Sequence, residues 1–261
     1  MRNFTVAIFK LLLGFAAGAA LTFLTFESTM RSIELNRLER LHAIENVSDR
    51  LPQAAQQSLR TSRQSAVQVM SASDSSPVIS SSSGTYIQVE NKYYILTVGH
   101  AIIGPCDMMR IMVEDEMYAC IKYASVDYQR DYAIVEIEEI PNRRAVQIPD
   151  SLPAPSRWSH HLAIQTGVYY TGFPNGLGPL SMTGRIVGFD DSENVYIQSF
   201  AWPGSSGSGV FNEDGVFVGF VMAISVGATE YGVSVLEDLA IVVPLYQIDW
   251  STIEEEGEEK Q

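Results

Sequence analysis

Three rhythms of apolar positions follow one another along the chain. The first is continuous: from Leu11 to Phe26, LLLGFAAGAALTFLTF, there is no charge, and the mostly apolar Phe4–Phe9 precedes it across Lys10. A membrane-spanning helix needs about 20 apolar residues, a length reached if the Lys10 stem snorkels toward the headgroups. Ala17-Gly18-Ala19 offers a small-residue cleavage site, but apolar residues continue past it. Residues 1–27 are therefore read as an N-terminal transmembrane helix in preference to a cleaved signal segment. In the second rhythm Leu38, Leu41, Ile44, Val47 and Leu51 recur at spacings of three and four, the mark of an amphipathic helix. Residues 28–64 read as a helical stalk that Pro52 breaks or restarts.

The third rhythm begins at Ser65, where the period shortens to that of strands. Short β-rich runs follow at Ser65–Met70, Gly84–Glu90, Tyr93–Val98, Met109–Val113, Tyr118–Tyr123 and Tyr132–Ile137. More follow at Val168–Thr171, Arg185–Phe189, Val195–Gln198, Gly209–Phe211 and Val216–Met222. Many short strands at close spacing predict an all-β sandwich or barrel. The serine-rich stretch Ser71–Ser83 reads as a polar loop. Pro141, Pro149, Pro153 and Pro155 mark 141–159 as a linker between two β halves. The acidic run in 251–261 reads as a disordered, solvated tail.

Charge narrows the partners. The formal net charge is −14 over 261 residues, which excludes nucleic acid, because phosphate binding needs basic surface. It also disfavours broad adsorption to anionic membranes. Cys106 and Cys120 read either as a pair across a hairpin in an oxidising compartment or as two separate buried thiols. No Cys/His cluster has metal-ligand spacing, so neither metal nor cofactor is expected. Gly14 and Gly18 form a GxxxG, which with the stalk points to a homo-oligomer formed through the anchor.

The chemistry resides in three short segments. In Pro203-Gly204-Ser205-Ser206-Gly207-Ser208-Gly209 the small residues allow a tight turn. If Ser206 attacks, the N–H groups of Gly204 and Ser206 converge on one point, where an oxyanion would form. Serine needs a base, and His100 follows directly on the strand Tyr93–Val98. The base needs an orienting group, and Asp131 stands at the entrance to the strand Tyr132–Ile137. Taken singly, each has an ordinary reading: a Gly/Ser loop, a structural histidine, a turn aspartate.

In order and context these segments resemble the trypsin-like serine proteases of the HtrA/Deg type, within the chymotrypsin-like superfamily. Tyr94-Ile-Leu-Thr-Val-Gly-His100-Ala is similar to that family's strand running into its histidine. Asp131-Tyr-Ala-Ile-Val is similar to its D-x-A-hydrophobic motif. Gly172-Phe-Pro-Asn-Gly-Leu177 and Thr183-Gly-Arg-Ile-Val resemble its G-x-P-x-G-L … G-x-I/V segment, and Gly204-Ser-Ser206-Gly-Ser208 its nucleophile motif, with Ser208 in place of a glycine. The resemblance covers 65–250 and implies two antiparallel Greek-key barrels, with no PDZ domain expected after them. Substrate would lie between the barrels.

It implies a catalytic triad of His100, Asp131 and Ser206, with an oxyanion hole at Gly204 and Ser206. The substrate pocket would be lined by Phe200, Ala201, Ile224 and Ser225. The family position that holds a carboxylate in enzymes cutting after Lys or Arg is Phe200 here, so small to medium aliphatic P1 residues are expected. The function expected is a serine endopeptidase tethered to a membrane on its extracytoplasmic side, or secreted if the N-terminus is cleaved. Its partner is a protein or peptide substrate. The alternative, a silent protease fold kept as a scaffold, is weakened by the presence of all three residues.

Overall fold

The computed structural model describes residues 47–254 except 150, 151, 153, 154, 230 and 231. The expected anchor, most of the stalk and the end of the tail lie outside these residues. Among the described residues no helix is long and apolar enough to cross a membrane. Among the described residues the first element is helix α1, Gln53–Ser65, which starts directly after Pro52 and packs against the second barrel. Ala55, Ser58, Leu59, Ser62 and Ser65 form its buried face. The Ser58 hydroxyl donates to the Asn212 carbonyl at 2.8 Å. The stretch 53–64, expected to end a free stalk, is thus part of the folded body.

The first half contains β1 (Ala66–Ser73), β2 (Ser76–Val89), β3 (Lys92–Thr97), β4 (Met109–Val113), β5 (Glu116–Ala119), β6 (Lys122–Asp127), β7 (Tyr132–Ile137) and β8 (Val146–Ile148). They form one sheet in the order β5-β4-β1-β2-β3-β7-β6. Among the described residues its end strands β5 and β6 do not pair, so this half is an open half-barrel, where a closed barrel was expected. Nor is it wholly antiparallel, since β8 joins β2 in parallel. The expected strand Tyr118–Tyr123 divides into β5 and β6. Between them sits Cys120, disulfide-bonded to Cys106, which settles the two alternatives left open for the thiols.

The serine-rich stretch is strand, not loop. Ser71, Ser82 and Ser83 are buried within the β1–β2 pairing. Serine is small enough to sit where this sheet meets the second barrel, and its hydroxyl can satisfy backbone groups there. The second half is a closed six-stranded barrel, in the order β10-β11-β14-β13-β12-β9. Its members are β9 (Gly167–Gly172), β10 (Leu180–Phe189), β11 (Val195–Gln198), β12 (Gly209–Asn212), β13 (Phe217–Thr229) and β14 (Gly232–Pro244). Strand β14 was absent from the expected set, because Glu237 and Asp238 interrupt its apolar run. The pairing accommodates them by a shift in register between Ile224 and Ser225. At the C-terminal end Ser251–Glu254 is a helical turn whose Ile253 is buried, so the tail begins later than 251.

Leu59 is 7% exposed on the packed face of α1, and burying a leucine stabilises a fold by about 1.5–3 kcal/mol. Leu59→Ala is expected to lower unfolding free energy by about 2–4 kcal/mol. A chain starting at Ala66 should melt at a lower temperature than one starting at Val47. Equal melting of these two chains in thermal denaturation would contradict the assignment of α1 to the folded body.

Candidate active site

Strand β3 is hydrogen-bonded on both sides, to β2 and β7. This fixes the point where the chain leaves the sheet at Val98 and turns through the short 3-10 segment Gly99–Ala101 that carries His100. The register Thr97↔Ala133 brings the start of β7 alongside this turn. Asp127 builds the approach, since its Oδ1 accepts from the N–H groups of Gln129 and Arg130 at 2.8 and 2.9 Å. The bland reading, an aspartate bonding its own turn, therefore belongs to Asp127. Asp131 follows with φ 57°, a left-handed conformation that aspartate tolerates better than most residues.

Both carboxylate oxygens of Asp131 hold His100. Oδ1 accepts the backbone N–H of His100 at 2.8 Å, and Oδ2 lies 2.7 Å from Nδ1. A carboxylate can only accept, so the ring proton sits on Nδ1 and Nε2 is left as the basic nitrogen. A side chain on Gly99 would stand 3.3 Å from Asp131 Oδ1, crowding this approach. The His100 side chain is 54% exposed and that of Asp131 20%, so the ring is reachable while its partner is shielded. The hydrogen bond to Asp131 raises the His100 pKa above the ordinary imidazole value. The negative charge of Asp131 adds to this, and partial burial opposes it.

The turn leading into β12 contains Ser205, Ser206 and Ser208, which differ in access. Ser205 is 1% exposed and Ser208 0%, while Ser206 is half-buried. The Ser205 hydroxyl accepts the Trp202 N–H at 3.2 Å. The Ser208 hydroxyl is buried with no hydrogen-bond partner, and it fits only because Gly172 lacks a Cβ, which would lie 2.1 Å from it. The carbonyls of the turn are held from behind: Pro203 O by Asn175 N–H at 2.7 Å, Trp202 O by Ser205 N–H at 2.9 Å and Ser206 O by Ser83 N–H at 2.8 Å. Gly204 adopts φ 95° and Gly207 φ 91°, the glycine region of backbone space. Among the described residues the N–H groups of Gly204 and Ser206 donate to no protein acceptor.

The turn lies against the strand that leads to His100. A Cβ on Gly207 would fall 2.0 Å from Ser83 O and 2.6 Å from Thr97 Oγ1, and Thr97 Oγ1 itself donates to Ser83 O at 2.7 Å. No hydrogen bond joins His100 to Ser206 among the described residues. Such contacts often tighten only when substrate is bound. Ser83, Thr97, Gly172 and Asn175 were not singled out from sequence. Thr97 had a signal in the Tyr94–Ala101 motif and Gly172 and Asn175 in the Gly172–Leu177 motif, whereas Ser83 had none.

Of the expected pocket residues, Ala201 is 1% exposed and Phe200 49%. The Phe200 carbonyl is turned inward to the hydroxyl of Tyr170, and its ring lies edge-on to Trp202 with centroids 4.7 Å apart. The Phe200 side chain is therefore half exposed to solvent. The side chains of Ile224 and Ser225 lie outside what the structure describes. Val221 is bonded in both directions to the Ser206 turn, through Gly207 N–H at 2.7 Å and Ser208 O at 2.9 Å. The strand beside the turn thus continues through Met222 and Ala223.

Known proteins resemble this arrangement at the level of fold. A serine endoprotease from Yersinia pestis superposes with a TM-score of 0.57 at 19% identity, over 79% of this chain and 69% of its own. The HtrA-type protease AlgW with a tripeptide gives 0.58 at 17% identity, over 78% and 65%. A protease of M. tuberculosis in its active form gives 0.54 at 18%, over 72% and 79%. No curated protein matches the chain significantly. The trypsin-like peptidase domain family matches residues 82–220, more than half the chain and the whole span from β2 through the Ser206 turn. The chain therefore belongs to the trypsin-like peptidase family and is a serine endopeptidase.

Proposed function

We propose that Ser206 is the nucleophile, His100 the general base and Asp131 the residue that orients it. The observation that carries this reading is the two-pronged hold of Asp131 on His100, which leaves Nε2 free, beside a turn whose one accessible serine is Ser206. In the reaction Ser206 Oγ bonds to the scissile carbonyl carbon as its proton passes to His100 Nε2. The oxyanion is met by the N–H groups of Gly204 and Ser206. Collapse expels the amine, which takes the proton from His100 and leaves an acyl ester on Ser206. Water then attacks the ester, with His100 again as base, releasing the acid and restoring the serine. Asp131 stays ionised throughout.

Residues 1–27 tether this enzyme to a membrane, with its catalytic domain on the extracytoplasmic side. Support comes from the uncharged run Leu11–Phe26 and from the Cys106–Cys120 bond, since disulfides persist in oxidising compartments. The substrate is a protein or peptide. The pocket prefers aliphatic P1 residues, because Ser199–Trp202 offers no carboxylate and Asp190 is occupied in its own turn by Ser192 and Asn194. A buried cationic side chain without a partner costs several kcal/mol.

In a peptide-library assay Ser206→Ala should lose at least about three orders of magnitude in turnover with folding intact. Ser205→Ala and Ser208→Ala should keep most of it, and Lys and Arg should be disfavoured at P1. An inactive Ser205→Ala beside an active Ser206→Ala would overturn the assignment, and cleavage dominated by basic P1 residues would overturn the pocket.

The raised His100 pKa has a sign that can be measured. The base works only when neutral, so the acidic limb of kcat/KM should lie above the ordinary imidazole value near 6.5. Any stability from the His100–Asp131 pair is present below the unfolded-state pKa and is lost as pH rises through the folded one. In Asp131→Asn the His100 titration followed by NMR should fall, with kcat reduced about 10⁴-fold. An unchanged titration would contradict the pairing. Deleting residues 1–27 should shift the protein from the membrane to the soluble fraction with peptidase activity kept. A mature full-length product beginning near residue 20 by intact mass would instead mean a cleaved signal.

A further inference from the structure

The side chain that joins the two halves at the site is one the sequence gives no reason to notice. Ser83 is fully buried in β2, opposite Gln68 of β1 and two residues before Thr85, where the pairing with β3 begins. Its hydroxyl donates to Gly204 O at 2.7 Å and accepts from Phe173 N–H at 2.8 Å. Its backbone N–H holds Ser206 O at 2.8 Å, and its carbonyl accepts from Thr97 Oγ1 at 2.7 Å. Every polar atom of the residue is therefore engaged, and two of its bonds end on the turn that carries Ser206.

These bonds decide where the turn's free donors point. A trans peptide directs its C=O and N–H to opposite sides. Asn175 holds the Pro203 carbonyl, so the N–H of Gly204 faces the other way. Gly204 has no side chain and sits at φ 95°, so little in its own chemistry resists rotation of the peptide that follows. What restrains that peptide is Ser83 Oγ on the Gly204 carbonyl, together with Ser205 N–H on Trp202 O. Without the hydroxyl, the half-buried Gly204 carbonyl loses its protein partner. That carbonyl and the Gly204 N–H lie in successive peptides joined at the Gly204 Cα, so a shift of the carbonyl toward another partner moves the Cα and with it the N–H.

We propose that Ser83 is a positioning residue for this peptidase: its buried hydroxyl, by holding the Gly204 carbonyl, fixes the Gly204 Cα and, with Asn175 on the preceding carbonyl, keeps the Gly204 N–H at the position where the oxyanion forms. The residue touches no substrate and acts through the turn. It also couples that turn to Phe173, so the orientation of the donor depends on the docking of one half-molecule on the other.

The inference rests on Ser206 as nucleophile, and the test separates the two. In the full chain, Ser83→Ala removes one oxygen and keeps the Cβ. Loss of a whole oxyanion donor costs about 10²–10³-fold in kcat, so loss of its positioning should lower kcat by about 10–100-fold with KM little changed. The selective readout is inhibition by the boronate analogue of the best peptide substrate, whose tetrahedral adduct puts an oxygen at the oxyanion position. Its affinity should fall in parallel with kcat, while the affinity of the matching product peptide stays constant. If Ser83→Ala does not fold, as judged by thermal melting, Ser83→Cys serves for the same measurements and should show a smaller loss of the same kind. Wild-type kcat and boronate affinity in the folded variant, or equal loss of boronate and product-peptide binding, would overturn the role of Ser83. An active Ser206→Ala control would instead overturn the nucleophile beneath it.

Discussion

The site is assembled across two sheets, and the contact that assembles it is the docking of the 204–207 turn on β2. His100 and Asp131 hang from neighbouring strands of the open half-barrel, where the β3–β7 register alone brings them together. Ser206 belongs to the closed barrel. Its turn reaches the other half through Ser83 N–H and Oγ, with Thr85 Oγ1 donating to Gly207 O at 3.1 Å. Each such bond contributes only about 0.5–1.5 kcal/mol net. Their value is directional, because together they leave the turn one orientation. Gly207 is the steric counterpart, since any side chain there would strike the Ser83 carbonyl.

This docking requires both halves to hold their shape, and they do so differently. The closed barrel has no free edge, whereas the first sheet ends at β5 and β6. The disulfide spans the β4–β5 hairpin from the loop that follows His100. Arg143 secures the far side. Its guanidinium is buried, donates to the carbonyls of Arg63 and Ala66 and lies 3.9 Å from Glu114. Burial lowers its pKa, and Glu114 opposes that shift. Arg143 thus ties the end of α1 to the start of β1, fixing where the N-terminal segment enters the body. Removing one partner of a buried charge is costly, so this junction is a firm point of the fold.

Sequence made the candidate side chains His100, Asp131 and Ser206 legible because their neighbours are distinctive. An apolar strand ends in His100, an Asp precedes a buried strand, and a Gly/Ser turn precedes β12. It also gave the bounds of β4, β7 and β11 as observed. What it hid shares one cause, the use of polarity as a proxy for exposure. Ser71, Ser82 and Ser83 look solvated by composition yet are buried, because their hydroxyls find partners there: Ile103 N–H for Ser71, Thr97 Oγ1 for Ser82, and Gly204 O and Phe173 N–H across the interface for Ser83. Ser58 and Ser62 likewise let α1 approach the second barrel closely, so the helix looks like polar stalk. Charged Glu237 and Asp238 concealed β14, where a register shift absorbs them. The openness of the first half depends on contacts between distant segments, which no local pattern encodes. The pairing of Cys106 with Cys120 was one of two readings left open, because spacing alone does not show that two thiols face each other.

The central claim is that one serine in this turn is activated by His100. It is tested most directly by reacting the intact protein with a fluorophosphonate and locating the adduct by tandem mass spectrometry. The account predicts stoichiometric modification of Ser206, abolished in the His100→Ala variant. Modification of Ser205 or Ser208, or labelling of Ser206 that is indifferent to His100, would contradict it.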